Sequence, residues 1–274
     1  MIPRSLPGKT RLSRLLCTLH QPSGPVQIQA QKLQFSLPSM AEPMAHALIR
    51  DGIYEPQTAE AIQRHLPRDG TFMDVGANVG IFSLMASHHW CPLGRVIAFE
   101  ASPHISQWLT RNAEDNPTPV LQVIHSAVTR HSGETLQFFD APSEKFGMGS
   151  LTSRFGDTGS LVTSLSLDDA ASSNAIQQVH VIKVDVEGHE LGVFQGALKI
   201  LHHPNPPVII FEFNDWAENR PQDRSKAGDA QRFLSSHGYS IQKLDDYLAH
   251  GPNPGPVIEI GSAELIAWKH NTPS

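Results

Sequence analysis

Asp74-Val-Gly-Ala-Asn-Val-Gly80 follows the strand-like run Thr71 to Val75 and leads into an apolar stretch of helical character, Ile81 to Ser87. A glycine-bearing turn between a strand and a helix is where an α/β sheet receives a nucleotide-like ligand, at the carboxyl ends of its strands. Working outward, the pattern alternates strand with helix. Phe72–Val75, Val96–Phe99, Val120–Ile124, Val179–Val184 and Val208–Phe213 read as strands. Ile81–His88, Ile105–Asp115, Leu191–Leu201 and Ala227–His237 read as helices, with a further helix over Thr58–Leu66. Repeated strand–helix units of this length predict a mostly parallel sheet with helices on both faces. Val208-Ile-Ile-Phe211 is apolar without alternation, as a strand covered on both sides requires. Tyr239–Leu244 and Glu264–Trp268 read as final strands around the turn Gly251-Pro-Asn-Pro-Gly-Pro256, which suits a closing β-hairpin.

The spacing of the turn decides the ligand. A dinucleotide fingerprint needs glycine at its first, third and sixth positions. Here those positions hold Gly76, Asn78 and Ile81, so a nicotinamide dehydrogenase is a poor reading. Asp74 at the strand end would repel a pyrophosphate but attract an ammonium, directly or through water. S-adenosylmethionine has that ammonium and no phosphate, and its carboxylate can use backbone N–H groups at the turn and the helix start. Asn tolerates left-handed backbone angles, so Asn78 fits the turn. About twenty residues on, the next strand ends in Glu100, placed to accept hydrogen bonds from both ribose hydroxyls.

Composition sets outer bounds. The chain of 274 residues, 39% hydrophobic and 18% charged, suits one large soluble domain, or one domain with a small extension. Its net charge of −6 gives no basic face for nucleic acid. Two cysteines, Cys17 and Cys91, favour a reducing, cytoplasmic compartment. Leu12–Leu19, broken by Ser13, Arg14 and Thr18, is too short for a membrane span or secretory core. It reads as a surface helix or frayed end, with a transit peptide as the alternative. Val26-Gln-Ile-Gln-Ala30 and Leu33-Gln-Phe-Ser-Leu37 alternate apolar and polar, predicting a small hairpin in an extension over residues 1–50, with the main domain over 51–274. Glu134–Phe139 and Leu161–Leu167 read as extra strands. Between them Asp140–Ser160, rich in Gly, Ser and Thr, has the length of a lid or binding loop.

These residues together make the chain resemble the FkbM family of S-adenosylmethionine-dependent methyltransferases. The resemblance is carried by Tyr54-Glu-Pro56, the Asp74–Gly80 turn, Glu100, Ser126-Ala127, Gly149-Ser-Leu151, Ser166-Leu-Asp-Asp169, Ile182-Lys-Val-Asp-Val-Glu-Gly-His-Glu190 and Glu212. It implies a class I methyltransferase fold, Rossmann-like with a mostly parallel seven-stranded sheet, and most often O-methylation of natural-product or sugar-like acceptors. Carried over position by position, it implies a cofactor site of Asp74, Gly76, Ala77, Asn78, Gly80, Glu100, Ala101 and Asp185, with Ser126 and Ala127 beside the adenine.

An alcohol acceptor needs a base or a metal to remove its proton. The fourth strand delivers Asp185, Glu187 and His189 at its carboxyl end, and the fifth delivers Glu212 and Asn214. His189, Asp185 and Glu212 are therefore the expected catalytic residues, with His189 the best-placed base because its ordinary pKa lies near neutrality. Asp185, Glu212 and Asn214 resemble the oxygen ligands of divalent-metal methyltransferases and would suit Mg²⁺. Ordinary hydrogen bonding accounts for the same residues, so a metal is not expected. Lys183 is read as structural, pointing away from its strand neighbours, and Asp168 and Asp169 as a helix cap. The expected partner is a small-molecule acceptor, with neither nucleic acid nor membrane, and a homo-oligomer is compatible. A non-catalytic cofactor-binding scaffold or partner subunit is the alternative.

Overall fold

The computed structural model describes residues 25–142, 147–151, 159–219 and 226–269. The expected helix or frayed end over Leu12–Leu19, and most of the interior of the Asp140–Ser160 loop, lie outside the described residues.

The hairpin is present. Strands β1 (Val26–Ala30) and β2 (Leu33–Leu37) pair from Val26↔Leu37 to Ala30↔Leu33. The two residues between them, Gln31 and Lys32, both take left-handed angles, as the favoured two-residue hairpin turn demands. Two helices follow, α1 (Pro43–Asp51) and α2 (Pro56–His65), each with proline in its first turn, where no N–H partner is missed. Helix α1 was not expected from the sequence.

The main sheet then assembles. Strand β3 (Thr71–Val75) passes through the glycine turn into α3 (Ile81–Met85), which widens into a π turn over Ala86–Trp90. Next come β4 (Arg95–Glu100), α4 (Pro103–Asp115, capped by the Ser102 hydroxyl) and β5 (Leu121–His125). A three-stranded side sheet of order β6-β8-β7 interrupts the alternation, built from β6 (Ala127–Val128), β7 (Thr135–Phe138) and β8 (Ser160–Leu165). Helix α5 (Leu167–Ser173) leads to β9 (Val181–Val184), α6 (Glu190–Gln195) and α7 (Leu198–Leu201). Strand β10 (Val208–Asn214), α8 (Asp215–Glu218), α9 (Asp229–Ser236), β11 (Ser240–Lys243), α10 (Leu244–His250) and β12 (Ser262–Trp268) complete the chain.

The seven strands lie in the order β11-β12-β10-β9-β3-β4-β5. The five from β10 to β5 run parallel, while β12 is antiparallel to both β10 and β11. This is the class I methyltransferase sheet, with the closing antiparallel pair expected from the sequence, although α10 intervenes before the Gly/Pro-rich turn. Alternation splits the core between two faces. Phe72, Val181, Ile210 and Ile266 pack on one side, with the hairpin residues Phe35 and Leu37 in the same cluster; Met73, Ile182, Phe211 and Leu265 pack on the other. The parity that turns Phe72, Val181, Ile210 and Ile266 to the first face also turns Asp74, Lys183, Glu212 and Glu264 there, nearer the carboxyl ends of the parallel strands. No described helix is long and apolar enough to cross a membrane.

Two expectations change in detail. The helix expected over Leu191–Leu201 breaks into α6 and α7 at Gly196 and Ala197. The Ser166 hydroxyl, not an aspartate, caps α5 by accepting from the Asp169 N–H at 3.2 Å. Asp168 caps α7 instead, accepting from the N–H groups of Lys199 and Ile200 at 2.9 and 3.1 Å.

Candidate active site

The strand order reverses direction between β3 and β9, so a crevice opens where their carboxyl ends diverge. The glycine turn fills one wall. Gly76, Asn78 and Gly80 all take left-handed angles, with φ of 73°, 53° and 90°. A Cβ on Gly76 would lie 1.8 Å from the carbonyl oxygen of Asp185, so only glycine lets the turn close against β9. A Cβ on Gly80 would meet Leu109 Cδ1 at 2.4 Å. The N–H groups of Gly76 and Ala77 both donate to the Phe99 carbonyl, tying the turn to β4.

Glu100 ends β4 inside the first cavity. Its Oε2 accepts from the Asn78 N–H and its Oε1 from the Ser102 N–H, each at 2.8 Å. Burial pushes its carboxyl up to about 7, against the pull of those N–H groups. Gly76, Asn78, Glu100, Ala101, Ser126, Ala127, Asp185 and His189 all line this cavity, so most of the expected cofactor residues converge. Ser126 is fixed by donating its hydroxyl to the Thr163 carbonyl at 2.7 Å, and its N–H to the Glu100 carbonyl.

Three expected residues stand apart from this cavity. Ala77 lines a second one, described below. Gly80 underlies the helix start. Asp74 is fully buried and reaches neither cavity: its Oδ2 accepts the Ser83 hydroxyl at 2.6 Å, and its Oδ1 lies 3.9 Å from the Lys183 ammonium. Asp74 points into the same face of the sheet as Lys183, its register partner on β9, and Ser83 and Lys183 cover its oxygens there.

Lys183 points to the opposite face from its strand neighbours Ile182 and Val184, as read from the sequence. Its ammonium donates to Asp185 Oδ2 at 3.2 Å and to the Gly76 carbonyl at 3.3 Å, and lies 5.5 Å from the Phe82 ring centre. Burial works to lower its pKa, but the carboxylates of Asp185, Asp74 and Glu55 outweigh burial and raise it, so the ammonium stays charged.

The second cavity continues from the first, sharing Asn78, Gly147 and Asp185. Among the described residues its walls carry Glu42, Glu55, Asp185, Glu187 and Glu212 against one cation, Lys183. Asp185, Glu187 and Glu212 bring ligand oxygens within 4.8 Å of one another. Burial, with Asp185 and Glu187 nearby, pushes Glu212 up to about 9. Asn214 donates its amide to Glu212 Oε1 at 3.1 Å and accepts from the Trp216 indole at 2.9 Å, so the alternate positions of β10 do face one way. Glu187 and Gly188 form consecutive left-handed residues (φ 53° and 92°) that turn the chain into α6. Glu190 Oε1 closes that turn from inside, accepting the Val186 and Gly188 N–H groups at 3.2 and 3.1 Å. His189 stands at the N-cap position of α6 and lines both the first cavity and a groove between β7 and α6.

Sequence reasoning assigned no role to Glu42, Tyr54 or Glu55, which form the far wall of the second cavity. Their signal was a motif of unknown purpose, Tyr54-Glu-Pro56. Glu55 takes left-handed angles (φ 42°, ψ 71°), as do Asn78 and Glu187 on the same cavity wall. Such conformations in non-glycine residues cluster at binding sites, where the surroundings hold them in place.

Comparison with known proteins agrees with this geometry. Residues 74–241 match the family described as the methyltransferase FkbM domain. Over 201 residues the chain is 29% identical to the hexuronic acid methyltransferase AglP of Haloferax volcanii, covering 73% of this chain and 78% of that protein. Among solved structures it is similar to the precorrin-6y C5,15-methyltransferase of Geobacter metallireducens, with a TM-score of 0.44 and 14% identity over 78% of this chain and 89% of that one. It is also similar to the TYW2 of P. horikoshii in complex with MeSAdo, with a TM-score of 0.44 and 13% identity over 98% and 87% of the two chains. The chain belongs to the FkbM methyltransferase family.

Proposed function

We propose that this FkbM methyltransferase moves the methyl group of S-adenosylmethionine onto a hydroxyl oxygen of a small, sugar-like acceptor. The observation that carries the reading is the meeting of two cavities at Asp185: one holds Glu100 and the close-packed glycine turn, the other is lined with carboxylates. The residues present fit the cofactor, since Glu100 offers two carboxylate oxygens for ribose hydroxyls and the cradle at Gly76 has no room for a side chain. The catalytic domain is assigned to residues 51–274, with the hairpin of the 1–50 extension docked on it.

Bound there, the cofactor would supply an electrophilic methyl on a sulfonium, its carbon–sulfur bond exchanged for the new carbon–oxygen bond. The protein's part is mainly orientation, because little charge is created and near-attack placement supplies much of the rate. Glu100 and Asn78 hold the adenosyl end. Asp185, fixed by Lys183, sits at the junction where donor and acceptor meet. His189, on the wall of the same cavity, takes the proton of the acceptor hydroxyl. Glu212, carrying its proton near neutrality, donates a hydrogen bond to a second acceptor oxygen.

The wall charge argues for the atom methylated. Asp185, Glu187 and Glu212, clustered at the ends of β9 and β10, favour a neutral hydroxyl over an acceptor carboxylate. The same acids offer a second reading, since Asp185, Glu187 and Glu212 lie close enough to share a divalent ion. Lys183 and a proton on Glu212 offset that charge without one, so turnover is expected to survive dialysis against EDTA.

The test is incubation with S-adenosylmethionine and a panel of hexoses, hexuronic acids and their glycosides, read as a mass gain of one CH₂. A stable ether is expected on a hydroxyl. An alkali-labile methyl ester would instead mean carboxyl methylation. Binding of S-adenosylhomocysteine with no transfer to any acceptor would favour the scaffold. His189→Ala should lower turnover by about 10²-fold or more while leaving S-adenosylhomocysteine affinity intact.

A further inference from the structure

We propose that Glu55, rather than Asp74, receives the ammonium group at the methionyl end of the cofactor. This rests on the S-adenosylmethionine reading above and adds a binding residue to it.

Asp74 holds the position from which a strand-end acid would greet an ammonium, yet its side chain is sealed. One oxygen is taken by Ser83 and the other faces Lys183, so an incoming cation would meet the lysine first. Its unshared work is internal: with Asp185 it holds the Lys183 ammonium, which in turn holds the Gly76 carbonyl.

The second cavity shows where the methionyl end goes. With the ribose at Glu100 and the reacting centre between Gly76 and Asp185, the remaining length of the cofactor runs away from β4. It passes the side of the turn formed by Ala77 and Asn78 and the first residues of α3, Ile81 and Phe82. These residues line the second cavity, and Tyr54 and Glu55 form the wall beyond them.

Of the carboxylates there, Glu55 is the one held toward that end. Glu42 Oε1 accepts the Gly147 N–H at 3.1 Å. Asp185 Oδ2 is paired with Lys183, Glu187 clusters with Asp185 and Glu212, and Glu212 belongs to β10, on the far side of β9 from the turn. Glu55 stands beside Tyr54 and Thr58, whose hydroxyls favour its charged form. Its left-handed backbone and the fixed φ of Pro56 set where the Glu55 side chain leaves the main chain. Burial and Asp185 raise its pKa, against the pull of Lys183, so an arriving ammonium relieves an unfavourable carboxylate.

Two ligands separate this from a general loss of the site. S-adenosylhomocysteine carries the ammonium, and 5′-methylthioadenosine has the same adenosyl group without the amino-acid end. Titration calorimetry on the full chain should show Glu55→Gln weakening S-adenosylhomocysteine by about tenfold, the loss of one charge-assisted hydrogen bond, with 5′-methylthioadenosine unchanged. Asp74→Asn should weaken both ligands together, because it loosens the turn they share. Equal loss of both ligands in Glu55→Gln, or no loss of S-adenosylhomocysteine, overturns the assignment. A wild-type chain that binds neither ligand overturns the cofactor reading itself, and this inference with it.

Discussion

Glu212 and Glu264 stand directly opposite each other across the antiparallel β10–β12 pair. Side chains so placed project from the same face, and like charges there repel. Burial, with Asp185 and Glu187, pushes Glu212 up to about 9; burial, with Glu55 and Asp185, pushes Glu264 up to about 8. In the unfolded chain both titrate near ~4.3. Between those values the folded protein holds protons that the unfolded chain has released, so stability is greatest below ~4.3 for this pair and falls as pH rises toward 9. Glu264→Gln keeps the shape and removes one titration. Thermal unfolding followed from pH 5 to pH 9 should fall less steeply in the variant, and the variant should be the more stable protein at pH 8. Parallel curves would show that the pair does not titrate in this range.

Lys183 lies between Asp74 and Asp185, and only 7% of its side chain is exposed. Removing it strands two carboxylates around an apolar side chain. Breaking a buried pair from one side costs about 3–5 kcal/mol, far more than the pair's net worth, because an uncompensated charge remains. Lys183→Met should therefore lower the urea midpoint strongly at pH 7. Lowering the pH should restore part of the loss as the stranded carboxyls take up protons. A variant with wild-type stability at pH 7 would mean that the carboxylates find other partners.

Asn112 completes the outer edge of the hairpin with a side chain. Its amide oxygen accepts the Ser36 N–H at 2.7 Å, and its NH₂ donates to the carbonyls of Ser36 and Val79 at 3.0 and 2.8 Å. One helical turn on, Asn116 repeats the pairing at Gln34, at 2.9 and 2.7 Å. Helix α4 thus offers β2 two amides in place of a neighbouring strand. Asn112→Ala leaves buried backbone groups unpaired, at roughly 1–3 kcal/mol each, so a loss of about 3 kcal/mol is expected. Hydrogen exchange should show Ser36 losing protection ahead of β3; uniform change across the sheet would contradict the local clamp.

What was legible in the sequence follows from how far each signal reaches. Val208-Ile-Ile-Phe211 and the alternation of Val26–Ala30 are local, and both strands formed there. The hairpin appeared although Gln31-Lys32 lacks the usual Asn-Gly turn, because strand pattern outweighed turn chemistry. Helix α10, with Leu244 and Tyr247 buried, is too short for its period to show. The break between α6 and α7 is tertiary: a Cβ on Gly196 would lie 2.2 Å from the Thr129 carbonyl. Glu100 and Asp185 could be placed because strand ends are visible as sequence. The pairing of Asp74 with Lys183 depends on strand register and had no sequence signal, whereas Glu55, on a segment ahead of the sheet, was visible only as part of Tyr54-Glu-Pro56, a motif with no role attached.

Gly192 offers a way to move His189 without replacing it. It sits one turn into α6, and a Cβ there would come within 2.4 Å of His189 Nε2 and 2.8 Å of its Cδ2. An imidazole can swing aside, so the backbone should tolerate Gly192→Ala, and alanine in a helix gains up to about 1 kcal/mol over glycine. The variant should fold at least as stably as the wild type and bind S-adenosylhomocysteine normally, since the turn and Glu100 are untouched. With the ring displaced from the cavity wall, turnover should fall by about tenfold or more, because a proton acceptor must lie within hydrogen-bond reach of the proton it removes. The useful comparison is Gly192→Ala against His189→Ala. If both lose turnover at constant cofactor affinity, the position of the imidazole matters to the chemistry; full activity in Gly192→Ala would place the base elsewhere on the cavity wall.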